Sequence, residues 1–188
     1  ESVTGFGYSG GPIPFGPPMH PPIELLFLCT GNSCRSIMAE ACCNARAGGR
    51  LHARSAGSQP TGFVHPWALR QLTRAGIAVE GLQSKSWAHL PSRPQIIITL
   101  CDSAAGESCP AYLGPAVRAH WGLPDPARVT GSEAVVDAAF EQVWQALCAR
   151  IDALLTLPIE RWLADHPAAL RAELERIGAL ALPDVGAH

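Results

Sequence analysis

Ile23-Glu24-Leu25-Leu26-Phe27-Leu28-Cys29-Thr30-Gly31-Asn32-Ser33-Cys34-Arg35-Ser36-Ile37-Met38-Ala39-Glu40 is the stretch that decides the fold. Its apolar run, Leu25 to Leu28, stops at a cysteine and predicts a buried strand. A polar loop containing Gly31 follows, and good helix formers begin at Ser36. Strand, short loop and helix N-terminus together make an anion cradle. Backbone N–H groups converge in the loop, and the helix dipole places roughly half a positive charge at its mouth. Arg35 would close the cradle with a planar fork of donors suited to a tetrahedral oxyanion. Cys29 would lie at its floor, where a thiolate is stabilised. We therefore expect a nucleophile at Cys29 and an oxyanion-binding loop of Thr30, Gly31, Asn32, Ser33, Cys34, Arg35 and Ser36. Cys-x5-Arg alone is a weak signal in a chain with seven cysteines. The strand before it, the Gly-Asn turn and the serine after it supply the specificity.

Outward from this stretch, a helix is expected from Ser36 to about Ala47, stopped by Gly48-Gly49. Leu51 to Gly57 reads as a second short strand. Pro66 stands at the first position of a helix with Trp67, Leu69 and Leu72 on one side, ended by Gly76. Residues 81–94, which hold the single lysine Lys85, read as loop. Gln95-Ile96-Ile97-Ile98-Thr99-Leu100 is β-branched and reads as a strand buried on both faces, ending at Cys101. A brief strand around Val117 to Trp121 leads to Gly122-Leu123-Pro124-Asp125-Pro126. A long helix follows, opened by a capping box at Thr130 and Glu133. Its stripe of Val136, Phe140, Val143, Leu147, Ile151 and Leu154 is core. Pro158 interrupts this run, and a last helix begins near Pro167 with Leu170, Leu174 and Ile177.

Short strands alternating with helices predict βαβ units, hence an α/β three-layer sandwich around a short parallel sheet. Ligands in such sheets bind at the carboxyl ends of the strands. Cys29, Cys101 and Asp125 each follow a predicted strand, so the fold would gather them on one edge. We expect an irregular Gly- and Pro-rich arm over residues 1–22, its first 18 residues in part an added leader since Met19 stands just before the first strand. A domain over 23–157 and a helical extension over 158–188, packed on the domain, complete the organisation.

Cys29-Thr30-Gly31-Asn32-Ser33-Cys34-Arg35-Ser36 resembles the phosphate loop of low-molecular-weight tyrosine phosphatases and, more closely, that of the arsenate reductases built on the same fold. Ser55-Ala56-Gly57 resembles a short stretch of the same family. The run from Thr99 through Cys101 to Cys109-Pro110 resembles the reductases' redox loop, and His120-Trp121-Gly122 before Asp125-Pro126 strengthens the likeness. Phosphatases of this fold usually carry an aromatic after their Asp-Pro, where this chain has Ala127. The resemblance implies that Cys29 attacks arsenate, that Cys101 releases arsenite by attacking the Cys29 sulfur, and that Cys109 carries the disulfide onward by thiol exchange. Asp125 would be the general acid and Ser36 a donor to the Cys29 sulfur. No tightly bound cofactor is implied, only an external thiol reductant, either thioredoxin or glutathione with glutaredoxin. Cys101 and Cys109 are one residue further apart than is usual in thioredoxin-coupled members, which leaves the reductant open. The alternative reading is a phosphatase hydrolysing phosphate monoesters, and phosphate or sulfate would compete for the same loop. Some members hold potassium through residues matching Asn32, Ser55 and Glu40; we assign no metal here.

Composition sets bounds on these readings. The chain is 47% hydrophobic and 16% charged, with a net charge of -2, so neither nucleic acid nor an anionic membrane is an expected partner. No apolar run reaches the roughly 18 residues of a membrane helix, and no secretion leader is recognisable, so we expect a cytoplasmic protein. Seven cysteines without the dense spacing of a secreted scaffold point to catalytic or metal-binding thiols. A zinc site of Cys29, Cys34, Cys101 and Cys109 is the non-enzymatic rival, opposed by the charge of Arg35 beside the metal. Cys42, Cys43 and Cys148 read as core or half-buried, and the histidines as surface or capping residues.

Overall fold

The structure is a computed structural model that describes residues 21–101, 104 and 114–184. Four strands form one parallel sheet in the order β2-β1-β3-β4: β1 Ile23–Leu28, β2 Leu51–Ala56, β3 Ile96–Thr99 and β4 Val117–His120. Five α-helices flank it among the described residues: α1 Arg35–Arg46, α2 Pro66–Arg74, α3 Glu133–Leu155, α4 Ile159–Asp165 and α5 Pro167–Gly178. The strands form where apolar and β-branched residues run together. Ile96, Ile97 and Ile98 of β3 are all buried, as a parallel strand covered on both faces requires. β2 alternates instead, and its outward His52 and Arg54 meet Glu24 of β1 at 2.9 and 3.3 Å.

Leu25, Phe27, Ile96 and Ile98 face the larger core, shared with α1, α2, α3 and α5. Leu26, Leu28 and Ile97 face the other way and lie under Trp87 and Leu90. The segment assigned to loop therefore covers the second face of the sheet. One turn of 3-10 helix, Trp87–His89, and a parallel bridge from Ser86 to Gly57 fasten it there.

Three local expectations are corrected. The N-cap of α3 is Ser132, whose side chain accepts from the Val135 N–H at 3.4 Å, so Glu133 opens the helix instead of closing a box with Thr130. The buried face of α2 is Ala68, Gln71 and Leu72; Leu69 is turned toward a surface groove with Phe63 and Val79. The run after Pro158 is a further helix, α4. Proline lacks only an N–H that a first turn leaves unpaired, so it starts this helix as readily as it ends the previous one. Among the described residues no helix is long and apolar enough to cross a membrane.

Candidate active site

In the order β2-β1-β3-β4 the chain leaves β1 in one direction to reach β2 and returns on the other side as β3. The switch point lies between β1 and β3, where open parallel sheets hold their ligands. Cys29 follows β1 and Cys101 follows β3, on neighbouring strands. Both are buried, and with Ala104 they form a small cluster of their own. The Thr30 hydroxyl lies 3.5 Å from the Cys101 sulfur, which also accepts the Ala104 N–H at 3.4 Å. Cys109, the third thiol expected here, is outside the described residues.

The loop from Thr30 to Cys34 is held from behind. The carbonyl of Thr30 accepts the Gln59 N–H at 3.0 Å, that of Gly31 the Thr61 N–H at 3.0 Å, and that of Ser33 the His65 N–H at 2.8 Å. A peptide's C=O and N–H point in opposite directions, so carbonyls drawn outward turn the N–H groups of Gly31, Asn32 and Cys34 inward. Gly57 makes this possible. A Cβ at that position would run into the carbonyl oxygens of Thr30 and Cys29.

The Asn32 side chain has work of its own beside the backbone N–H in the cradle. It is fully buried with φ at 41°, a left-handed conformation that asparagine tolerates better than most residues. Its Oδ1 accepts the backbone N–H of Lys85 at 2.6 Å, which fixes the orientation of the amide. Its Nδ2 therefore donates to Ser36 Oγ at 2.9 Å. With its oxygen so engaged, the Ser36 hydroxyl is left to donate to the Cys29 sulfur 2.9 Å away. One chain of hydrogen bonds thus aims a donor at the Cys29 sulfur.

Arg35 lies at the start of α1, and its fork reaches across the cradle to the loop after β4. Nη2 pairs with Asp125 Oδ2 at 3.0 Å, and Nη1 donates to the Leu123 carbonyl at 2.9 Å. Its buried Nε has no partner among the described residues. Asp125 also opens a 3-10 turn, Pro126–Arg128, by accepting the Ala127 N–H at 3.2 Å. Cys34 lies 3.9 Å from Asp125, and burial together with that carboxylate pushes its thiol up to about 11. Cys34 therefore stays protonated at neutral pH. His65 caps α2 and stacks on Phe140 with ring centroids 5.1 Å apart; burial lowers its imidazole below the usual range, against a pull from Asp125.

The residues matching the family's potassium site are already engaged with one another. The Glu40 carboxylate accepts the Ser55 hydroxyl and meets the Lys85 ammonium at 3.1 Å, while Asn32 Oδ1 is taken by Lys85 N–H. The chain supplies its own cation here, and these donors do not fit an added one. Among the described residues no group of three His, Cys, Asp or Glu side chains could hold a metal ion. Sequence reasoning missed Lys85 and the bracing residues Gln59, Thr61 and His65. Each acts through a fold contact that no local pattern signals.

A cysteine on the floor of a backbone N–H cradle, with an arginine and an aspartate across its mouth at the switch point of a parallel sheet, defines a thiol enzyme for oxyanions. The family model for low molecular weight phosphotyrosine protein phosphatase matches residues 24–170. An arsenate reductase of Bacillus licheniformis is 36% identical over 128 residues, 68% of this chain and 91% of that protein. The fold is similar to the Corynebacterium glutamicum thioredoxin-dependent arsenate reductase, with a TM-score of 0.55 at 24% identity, covering 73% of this chain and 62% of that one. It is also similar to an arsenate reductase in the phosphate binding state, with a TM-score of 0.57 at 26% identity, covering 71% of this chain and 97% of that one. The chain belongs to the low molecular weight phosphotyrosine protein phosphatase family and, within it, to the arsenate reductases.

Proposed function

We propose that this protein reduces arsenate to arsenite with Cys29 as nucleophile, and that Cys101 and Cys109 carry the resulting oxidation away. Cys29 attacks the arsenic of arsenate, an As–S bond forms and water leaves. The inward N–H groups and the Arg35 fork hold the oxyanion. An anion that takes up the Arg35 guanidinium frees Asp125 to protonate the leaving oxygen. Cys101 then attacks the Cys29 sulfur. The As–S bond breaks, its electron pair stays on arsenic, and arsenite departs as the Cys29–Cys101 disulfide forms. Two thiols have supplied the two electrons. Cys109 attacks Cys101 to release Cys29, and an external thiol reductant, thioredoxin or glutathione with glutaredoxin, reduces the last disulfide. The cytoplasm, where such reductants are kept, is the compartment this chemistry suits.

The observation that carries this reading over phosphate-ester hydrolysis is the second thiol. Hydrolysis needs one cysteine and an acid, yet Cys101 shares a buried cluster with Cys29 and lies 3.5 Å from the Thr30 hydroxyl. Replacement separates the two activities. Cys101→Ser is expected to abolish arsenate reduction and to spare hydrolysis of a small aryl phosphate. Cys109→Ser is expected to turn over once and stall as a Cys29–Cys101 disulfide, read by mass spectrometry of the alkylated protein. Arsenate turnover with each reductant as the only electron source then identifies the partner. Full arsenate turnover by Cys101→Ser would overturn the relay.

A further inference from the structure

Two cysteines outside this relay face each other across the first and third helices. Cys42 of α1 and Cys148 of α3 have their sulfurs 3.6 Å apart. Four residues further along each helix, Arg46 meets Asp152 at 2.6 Å. Residues four apart share a helix face, so a thiol pair and an ion pair form successive rungs between two helices running the same way. The ion pair lies in the same register one turn further on. Cys42 is completely buried, whereas Cys148 is partly open to solvent.

We propose that Cys42 and Cys148 are a second dithiol couple, independent of the catalytic thiols, that closes to a disulfide between α1 and α3 by exchange with a low-molecular-weight disulfide. The order of events follows from exposure and charge. Cys148 is the accessible sulfur, and its thiol is lowered by the hydrogen bond from Cys42 with help from Arg46, while that of Cys42 is raised by the same bond and by burial. The Cys148 thiolate attacks the small disulfide, forming a mixed disulfide and expelling one thiolate, which takes up a proton. Cys42 then gives up its proton and attacks the Cys148 sulfur, and the second small thiol leaves. Two protein thiols are oxidised and one small disulfide becomes two thiols. The new bond ties the second half of α1, whose first turn forms the oxyanion cradle, to the long helix α3. Its closure draws on neither Cys29 nor Cys101, so it stands or falls apart from the proposed arsenate chemistry.

The test uses oxidised glutathione on the full chain carrying Cys29→Ser, Cys101→Ser and Cys109→Ser, followed by alkylation and non-reducing peptide mapping. The expected product has lost two hydrogens, contains a Cys42–Cys148 cross-linked peptide and keeps no glutathione. Its thermal midpoint should rise and return to the starting value on reduction. Adding Cys42→Ser removes the resolving thiol, and glutathione should then remain on Cys148. The same map on the unsubstituted protein provides the reading if the triple variant does not fold. Lasting glutathione on Cys148 while Cys42 is present, or Cys42 and Cys148 both found alkylated after exposure, would overturn the couple.

Discussion

Ser36 illustrates how a single side chain gains its role from its neighbours. Its hydroxyl reaches the Cys29 sulfur at 2.9 Å only because Asn32 donates to the same oxygen and Lys85 N–H fixes Asn32. A hydrogen bond to a charged group contributes about 1.5–3 kcal/mol. Ser36→Ala should therefore lower the rate of aryl phosphate hydrolysis by about tenfold to a hundredfold, with little change in thermal midpoint, because the bond matters most when the sulfur is negative. Steady-state kinetics beside a melting curve checks both halves. An unchanged rate would mean that the Ser36 hydroxyl adds nothing to what the cradle supplies at Cys29.

At the scale of the element, the loop between β1 and α1 depends on the glycine at the end of β2. The Gly57 N–H is bonded to the Lys85 carbonyl at 2.9 Å, and its Cα has the Cys29 and Thr30 carbonyls against it. Gly57→Ala should push the loop forward and cost about 1–3 kcal/mol of stability, as overpacking does. Its activity should fall far more than that of Ser36→Ala, since every inward N–H shifts at once. At the other end of the sheet, Arg50 joins two helices. It donates to the Leu155 and Leu157 carbonyls at the end of α3 and pairs with Glu160 of α4 at 3.0 Å. That guanidinium lowers the Glu160 carboxyl below its ordinary value. The contribution is therefore full above the unfolded carboxylate value and fades as pH falls through the lowered folded one. Glu160→Gln should flatten the fall of thermal midpoint below about pH 5, which melting curves across acid pH would measure.

Across the whole molecule, helix α5 and the loop carrying Asp125 support each other. Gly178 of α5 lies so close to β4 that a Cβ would meet the His120 carbonyl, and the Trp121 indole donates to the Leu174 carbonyl at 2.8 Å. Buried Arg150 of α3 binds three carbonyls, Trp121 at 3.0 Å, Gly122 at 3.3 Å and Leu180 at 3.1 Å. One side chain thus holds both the loop leading to Asp125 and the segment after α5. Arg150→Met keeps much of the volume and leaves those carbonyls without a donor. We expect a loss of about 1–3 kcal/mol in a denaturant titration and slower ester hydrolysis from a displaced Asp125. A full rate at reduced stability would show that the Asp125 loop holds its place without this clamp.

The sequence alone determined what is written locally. β3 was legible because three consecutive isoleucines can only be buried on both faces, and α3 because its stripe repeats at helical spacing. The Cys29–Ser36 loop was legible because strand, turn and helix start are adjacent in the chain. What tertiary structure decided are contacts between distant residues. Lys85 read as a loop lysine until the bridge from Ser86 to Gly57 carried it to Asn32 and Glu40, and α4 was hidden by a proline that can begin a helix as well as end one. Cys42 and Cys148 read as two unrelated core thiols, since each helix records only its own apolar face. Their 3.6 Å approach follows from how two faces pack, and packing is a property of the pair.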